Sequence, residues 1–141
     1  MRWPKPLIRL LGRLHGPLYR ATGGRVFGNV GNARVLLLTT TGRRSGRPRT
    51  VPLLYVPDGD AFVIVASQGG HDTHPAWYLN LRANPAATVQ IGNTTRIVHA
   101  EQLAAADRER LWGALVAAYP DYEEYRTRTD RAFPVVALRR R

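Results

Sequence analysis

With 141 residues, 44% of them hydrophobic, the chain has the length of one domain and enough apolar content to bury a core, which leaves no room for a separate regulatory domain. It has no cysteine, so disulfides, thiolate metal sites and a cysteine nucleophile are excluded. Its formal charge of +11 is uneven: residues 1–57 hold eleven Lys and Arg and no acid, whereas residues 58–141 hold ten of each sign, so an anionic partner is expected at the first part of the chain.

Residues 5–20 place Leu7, Leu11, Leu14 and Leu18 at helical spacing among Lys5, Arg9, Arg13 and Arg20, which predicts a basic amphipathic helix. Its leucines either pack on the domain or seat on an anionic membrane surface. Thr22, Gly23 and Gly24 end it, and Gly28, Gly31 and Asn32 read as a linker. The division expected is residues 1–28 for helix and linker, and 29–141 for the main domain. Val35–Thr41 and Thr50–Val56 read as strands across a polar loop, and Pro57-Asp58-Gly59-Asp60 turns the chain into a third strand at 61–66. Residues 75–83 begin with Pro75 and stop at Asn84-Pro85, as a short helix would. Ala87–Ile91 and Thr95–Ala100 flank Gly92-Asn93 as a second hairpin, 103–118 is an alanine-rich helix, and Pro134–Leu138 is a last strand. Six strands without βαβ alternation predict an α+β fold, a small closed antiparallel barrel with two or three flanking helices.

Four guanidiniums and one hydroxyl crowd the loop Gly42-Arg43-Arg44-Ser45-Gly46-Arg47-Pro48-Arg49. Held between strands, such a loop can aim several charge-assisted donors at one oxyanion; a merely solvated basic turn is the alternative. Ser67-Gln68-Gly69-Gly70 follows a strand directly, where its glycines could expose backbone N–H groups to a ligand. His71 and His74 lack a third ligand of obvious spacing, so no metal site is assigned. Trp77 is either core or a support beneath a flat cofactor. Tyr119, Tyr122 and Tyr125 recur every third residue, which puts three phenols on one side of a helical turn, either as packing or facing an aromatic substrate as hydrogen-bond donors.

Leu36–Thr41 with the arginine loop and Pro52-Leu53, then Ser67–Gly70, Pro75–Leu81 with Asn84-Pro85, and Tyr119–Tyr125 together resemble the deazaflavin-dependent nitroreductase family, four blocks in its order across residues 34–138. The resemblance implies a split β-barrel that binds coenzyme F420, whose phosphate and polyglutamate tail would account for the acid-free first part of the chain. Arg43, Arg44, Ser45, Arg49 and Pro52 would form the cofactor loop. Ser67, Gln68, Gly69 and Gly70 would line the deazaflavin, with Trp77 supporting it. The family often has a Lys where this chain has Gln68. The reaction implied is hydride transfer to a quinone, activated alkene or nitroaromatic, with Tyr119, Tyr122 and Tyr125 orienting the acceptor or supplying a proton. The alternatives are an FMN-dependent enzyme on the same barrel and a basic nucleic-acid module. The latter is disfavoured because the aromatics do not interleave with the basic stretch. The protein is expected to be cytoplasmic, as monomer or homodimer, with membrane contact limited to the periphery.

Overall fold

The computed structural model describes residues 29–30, 33–67, 73–127 and 132–141, the first two segments' Asn29, Val30 and Ala33 by backbone alone. The amphipathic helix expected at 5–20 lies outside the described residues, as do Gln68, Gly69, Gly70 and His71. In chain order come β1 (Asn29–Val30), β2 (Ala33–Thr41), β3 (Pro48–Asp58), β4 (Ala61–Val65), α1 (Ala76–Ala83), β5 (Ala86–Ile91), β6 (Thr94–Gln102), α2 (Ala105–Ala118), α3 (Asp121–Arg126) and β7 (Val135–Arg140). Between the glycines read as a linker, Asn29 and Val30 pair with Arg34 and Ala33 as a two-residue strand.

The sheet runs β1-β2-β3-β4-β7-β6-β5, and β5 pairs back onto β2 through Leu37↔Gln90, Leu38↔Val89 and Thr39↔Thr88. Strands β2 to β7 therefore close into a six-stranded barrel, antiparallel at every step. Closure leaves no unpaired edge in the ring. The turn between β5 and β6 is two residues long, and Gly92 takes φ +59°, the left-handed conformation that suits a tight hairpin.

Alternation along the strands sets two apolar faces. Leu36, Leu38, Tyr55, Ile64, Val89, Val98, Val136 and Leu138 point into the barrel, where Trp77, Tyr78 and Leu81 of α1 join them. The opposite face of β4 and β7, carrying Ala61, Val63, Val65, Val135 and Ala137, is covered by Leu111 and Leu115 of α2 and by Tyr122 and Tyr125 of α3. Strand β2 is apolar on both faces: Val35 and Leu37 point away from the barrel interior and are buried beside Leu54. The unbroken run Val35-Leu36-Leu37-Leu38 follows from burial on both sides.

Candidate functional site

Register places the rim of the barrel. β2 ends and β3 begins at the arginine loop, β5 starts next to Thr39, β6 ends and β7 begins through Gln102↔Val136, and β4 ends through Val65↔Val135. The arginine loop, Ser67 after β4 and helix α1 therefore share one end of the barrel, although 24 residues separate Arg43 from Ser67 in the chain.

The loop is built by its own hydrogen bonds. Gly42 N–H donates to the Arg47 carbonyl at 2.8 Å and Gly46 N–H to the Gly42 carbonyl at 2.8 Å, while Arg47 N–H donates to Ser45 Oγ at 3.1 Å. Gly46 sits at φ +69°, where a side chain would be strained. At its base, Thr39 and Thr50 hydroxyls meet across the β2–β3 pair at 2.8 Å. A backbone closed in this way holds Arg43, Arg44, Arg47 and Arg49 on a fixed frame while their side chains stay exposed.

Two ties fasten α1 beside that loop. Tyr78 donates its hydroxyl to Gln102 Oε1 at 2.6 Å, joining the helix to the end of β6. Asn80 Oδ1 accepts the Arg43 backbone N–H at 3.1 Å and its Nη1 at 3.3 Å. Sequence reasoning assigned Asn80 no role. A signal was present in it, since Asn80 is the polar residue on a helix face otherwise formed by Trp77 and Leu81, and a buried amide needs partners.

The four loop arginines make no ion pair among the described residues, whereas Arg110 pairs with Asp58 at 3.0 Å, Arg126 with Glu123 at 2.9 Å and Arg139 with Glu101 at 2.9 Å. The Arg110 guanidinium lowers the Asp58 carboxyl below the usual carboxylate range. The loop's charge, met by no described carboxylate, is left open to an external anion. A cofactor with several acidic groups fits this donor set, because each guanidinium can take an oxyanion by paired N–H donors.

The tyrosines lie elsewhere. Tyr122 and Tyr125, 6% and 7% exposed, pack with α2 on the outer face of β4 and β7, and Tyr119 is half-buried at the turn between α2 and α3. The Tyr119 and Tyr125 hydroxyls are 3.1 Å apart, and the Tyr122 ring meets Tyr119 edge-on with centroids at 5.1 Å. Burial pushes the Tyr119 phenol well above its ordinary range, with the Tyr125 hydroxyl adding to the effect, and burial raises Tyr122 likewise. Both phenols remain protonated donors at neutral pH. Trp112 Nε1 donates to Glu123, which ties α2 to α3 above them.

The structure brings together Arg43, Arg44, Ser45, Arg49, α1 and Ser67 on one rim. It puts Trp77 in the barrel core, with its ring edge-on to Tyr78 at 6.3 Å, and Pro52 on β3 opposite Leu37. It holds the three tyrosines in the second apolar cluster. His74 lies against the Tyr78 ring at 4.9 Å.

The sequence model described as F420H2-dependent quinone reductase matches residues 11–140. An F420H2-dependent quinone reductase of Mycobacterium tuberculosis is 42% identical over 138 residues, 95% of this chain and 92% of the relative. Among solved structures, an F420H2-dependent reductase superimposes with a TM-score of 0.68 at 44% identity, covering 74% of this chain and 92% of its own. A chain solved as a domain-swapped dimer gives 0.71 at 36% identity, covering 96% of this chain and 99% of its own. Barrel and sequence agree, and the chain belongs to the F420H2-dependent quinone reductase family.

Proposed function

We propose that Arg43, Arg44 and Arg49, with Ser45, hold the acidic tail of F420 on the rim of the barrel, and that the enzyme reduces a quinone. The observation that carries this reading is the arginine loop: four exposed guanidiniums on a closed frame with no described carboxylate to neutralise them. Ser67 is assigned to the deazaflavin side, since β4 delivers it to the same rim, and the Gln68, Gly69 and Gly70 that follow it in the sequence are assigned with it. Trp77, within the barrel core, and Pro52 on β3 support that side from beneath and beside it.

Reduced F420, when bound, supplies a hydride, two electrons at once. A quinone becomes a quinol by gaining that hydride and one proton, so the protein's work is to orient the two partners, exclude water and provide a donor at the acceptor oxygen. Tyr119, Tyr122 and Tyr125 are assigned to the acceptor. The support is chemical: burial keeps the Tyr119 and Tyr122 phenols protonated, and the paired Tyr119 and Tyr125 hydroxyls can pass a hydrogen bond between them. Activated alkenes and nitroaromatics require the same hydride and one proton, and belong to the acceptor range proposed.

A homodimer is proposed on the strength of the domain-swapped relative. No helix among the described residues is long and apolar enough to cross a membrane. Peripheral contact at the inner face of a membrane is proposed for the leucine stripe of residues 5–20, supported by its basic amphipathic sequence.

Titrating the purified protein with F420 and FMN at one salt concentration, and following F420H2 oxidation by a quinone, tests the function. F420 is expected to bind more tightly than FMN, and F420H2 to be oxidised only when quinone is present. Equal or tighter FMN binding would remove the reading.

A further inference from the structure

We propose that Asn80 is a positioning residue for the cofactor's anions: its neutral carboxamide fixes Arg43 on the rim without cancelling the guanidinium's charge. The proposal rests on the arginine-loop reading above and adds the scaffold group on which that loop depends.

Asn80 is 3% exposed and lies one helical turn from Trp77 on the inner face of α1. Its Nδ2 donates to Thr40 Oγ1 at 3.1 Å, and Thr40 is itself buried at the end of β2. With its nitrogen directed at β2, its oxygen faces the loop and receives both the backbone N–H and Nη1 of Arg43. One carboxamide therefore links helix, strand and loop. Among the described residues, the guanidiniums of Arg44, Arg47 and Arg49 have no such tie to the scaffold, so Arg43 is the loop cation whose position is set in advance.

The choice of amide over carboxylate matters. A buried Asp or Glu here would order Arg43 equally well, but it would form an ion pair and leave little net charge for an incoming anion. A neutral acceptor uses one of five guanidinium N–H donors and leaves four, together with the full positive charge. Holding the long side chain beforehand also removes part of the ordering cost from the binding step.

The test compares Asn80→Ala, Asn80→Asp and Arg43→Ala by calorimetric titration with F420 and with a deazaflavin lacking the phosphate and glutamates, alongside hydrogen exchange at the Arg43 amide. Asn80→Ala is expected to lose protection of that amide and to weaken F420 binding about tenfold, the loss of a hydrogen bond to a charged group, while the tail-free deazaflavin binds as before. Asn80→Asp keeps the acceptor, and Thr40 can turn its hydroxyl to donate. It is expected to retain amide protection yet weaken F420 by a similar factor, with a flatter salt dependence because the new carboxylate cancels one cation. If Asn80→Ala does not fold, the near-isosteric Asn80→Asp decides. Wild-type F420 affinity in either Asn80 variant, with Arg43→Ala still impaired, overturns the positioning role, as does an equal loss with the tail-free ligand. Wild-type affinity in Arg43→Ala instead removes the arginine-loop reading, and this inference with it.

Discussion

At the scale of single residues, two glycines of the arginine loop are needed for different reasons. Gly46 has φ +69° but open space around it, so an Ala there suffers only the backbone strain, about 1 kcal/mol. At Gly42 a Cβ would come within 2.6 Å of Ser45 Oγ and 3.2 Å of the Arg47 carbonyl, the two groups that close the loop. Gly42→Ala is therefore expected to weaken F420 binding more than Gly46→Ala, whereas Gly46→Ala mainly lowers the melting temperature. Calorimetric titration beside thermal melts checks the contrast, and the reverse order would show that loop closure does not govern binding. Replacing Arg43 or Arg49 by Ala should weaken F420 by about 1.5–3 kcal/mol, the worth of a hydrogen bond to a charged group. A loss of less than about twofold at both positions would make the loop a solvated turn.

At the scale of elements, α3 and the turn before it bury phenols in the second apolar cluster, and a pH titration checks that burial. Burial raises the phenols of Tyr119 and Tyr122, so in the folded protein they ionise later than in the unfolded chain. A raised folded pKa gives a stabilisation that is complete below the unfolded value of about 10 and is lost as pH rises through the folded value. Alkaline unfolding followed by circular dichroism should therefore set in above about pH 10, with tyrosinate absorbance appearing together with loss of structure. Tyrosinate absorbance that rises first, with the fold intact, would contradict the burial described for α3. Tyr122→Phe and Tyr125→Phe should leave F420 affinity nearly unchanged. If the phenols serve the acceptor, both lower kcat and kcat/KM together, by about a hundredfold at the low end of general-acid contributions. Wild-type turnover in both variants would leave these tyrosines to packing alone.

At the scale of the whole molecule, charge is segregated along the sequence. Among the described residues Arg110, Arg126 and Arg139 pair with Asp58, Glu123 and Glu101, and the loop arginines stay open. F420 binding should therefore weaken with added salt more steeply than FMN binding, since more charges are matched at once. Parallel slopes for the two ligands would mean that the acidic tail is not engaged. The leucine stripe at 5–20 gives a separate expectation: full-length protein sediments with anionic vesicles and a chain lacking residues 1–20 does not. Equal solubility of the two would assign the stripe to packing on the protein itself.

Much of the fold was legible because short-range patterns force it. The run Val35–Leu38, the turn residues Asp58-Gly59 and Gly92-Asn93, and the Pro75 and Asn84-Pro85 boundaries each have a local physical cause, and the strands and helices they bound are those observed. The arginine loop was equally legible, because a dense cluster of like charge between apolar strands shows in the sequence itself. Which residues share the rim depends instead on barrel closure, since β5 pairing back onto β2 is a long-range contact that no local pattern encodes. The same holds for Asn80, whose partners Thr40 and Arg43 lie 40 and 37 residues away, and for the burial of Tyr122 and Tyr125 against β4 and β7. The amino-acid sequence by itself determined the strands, the turns and the basic loop. Only the tertiary structure decided that this loop is fastened through a neutral amide to α1, and that the phenols form part of a second core, because hydrogen-bond partners and burial belong to the assembled barrel and not to any segment of it.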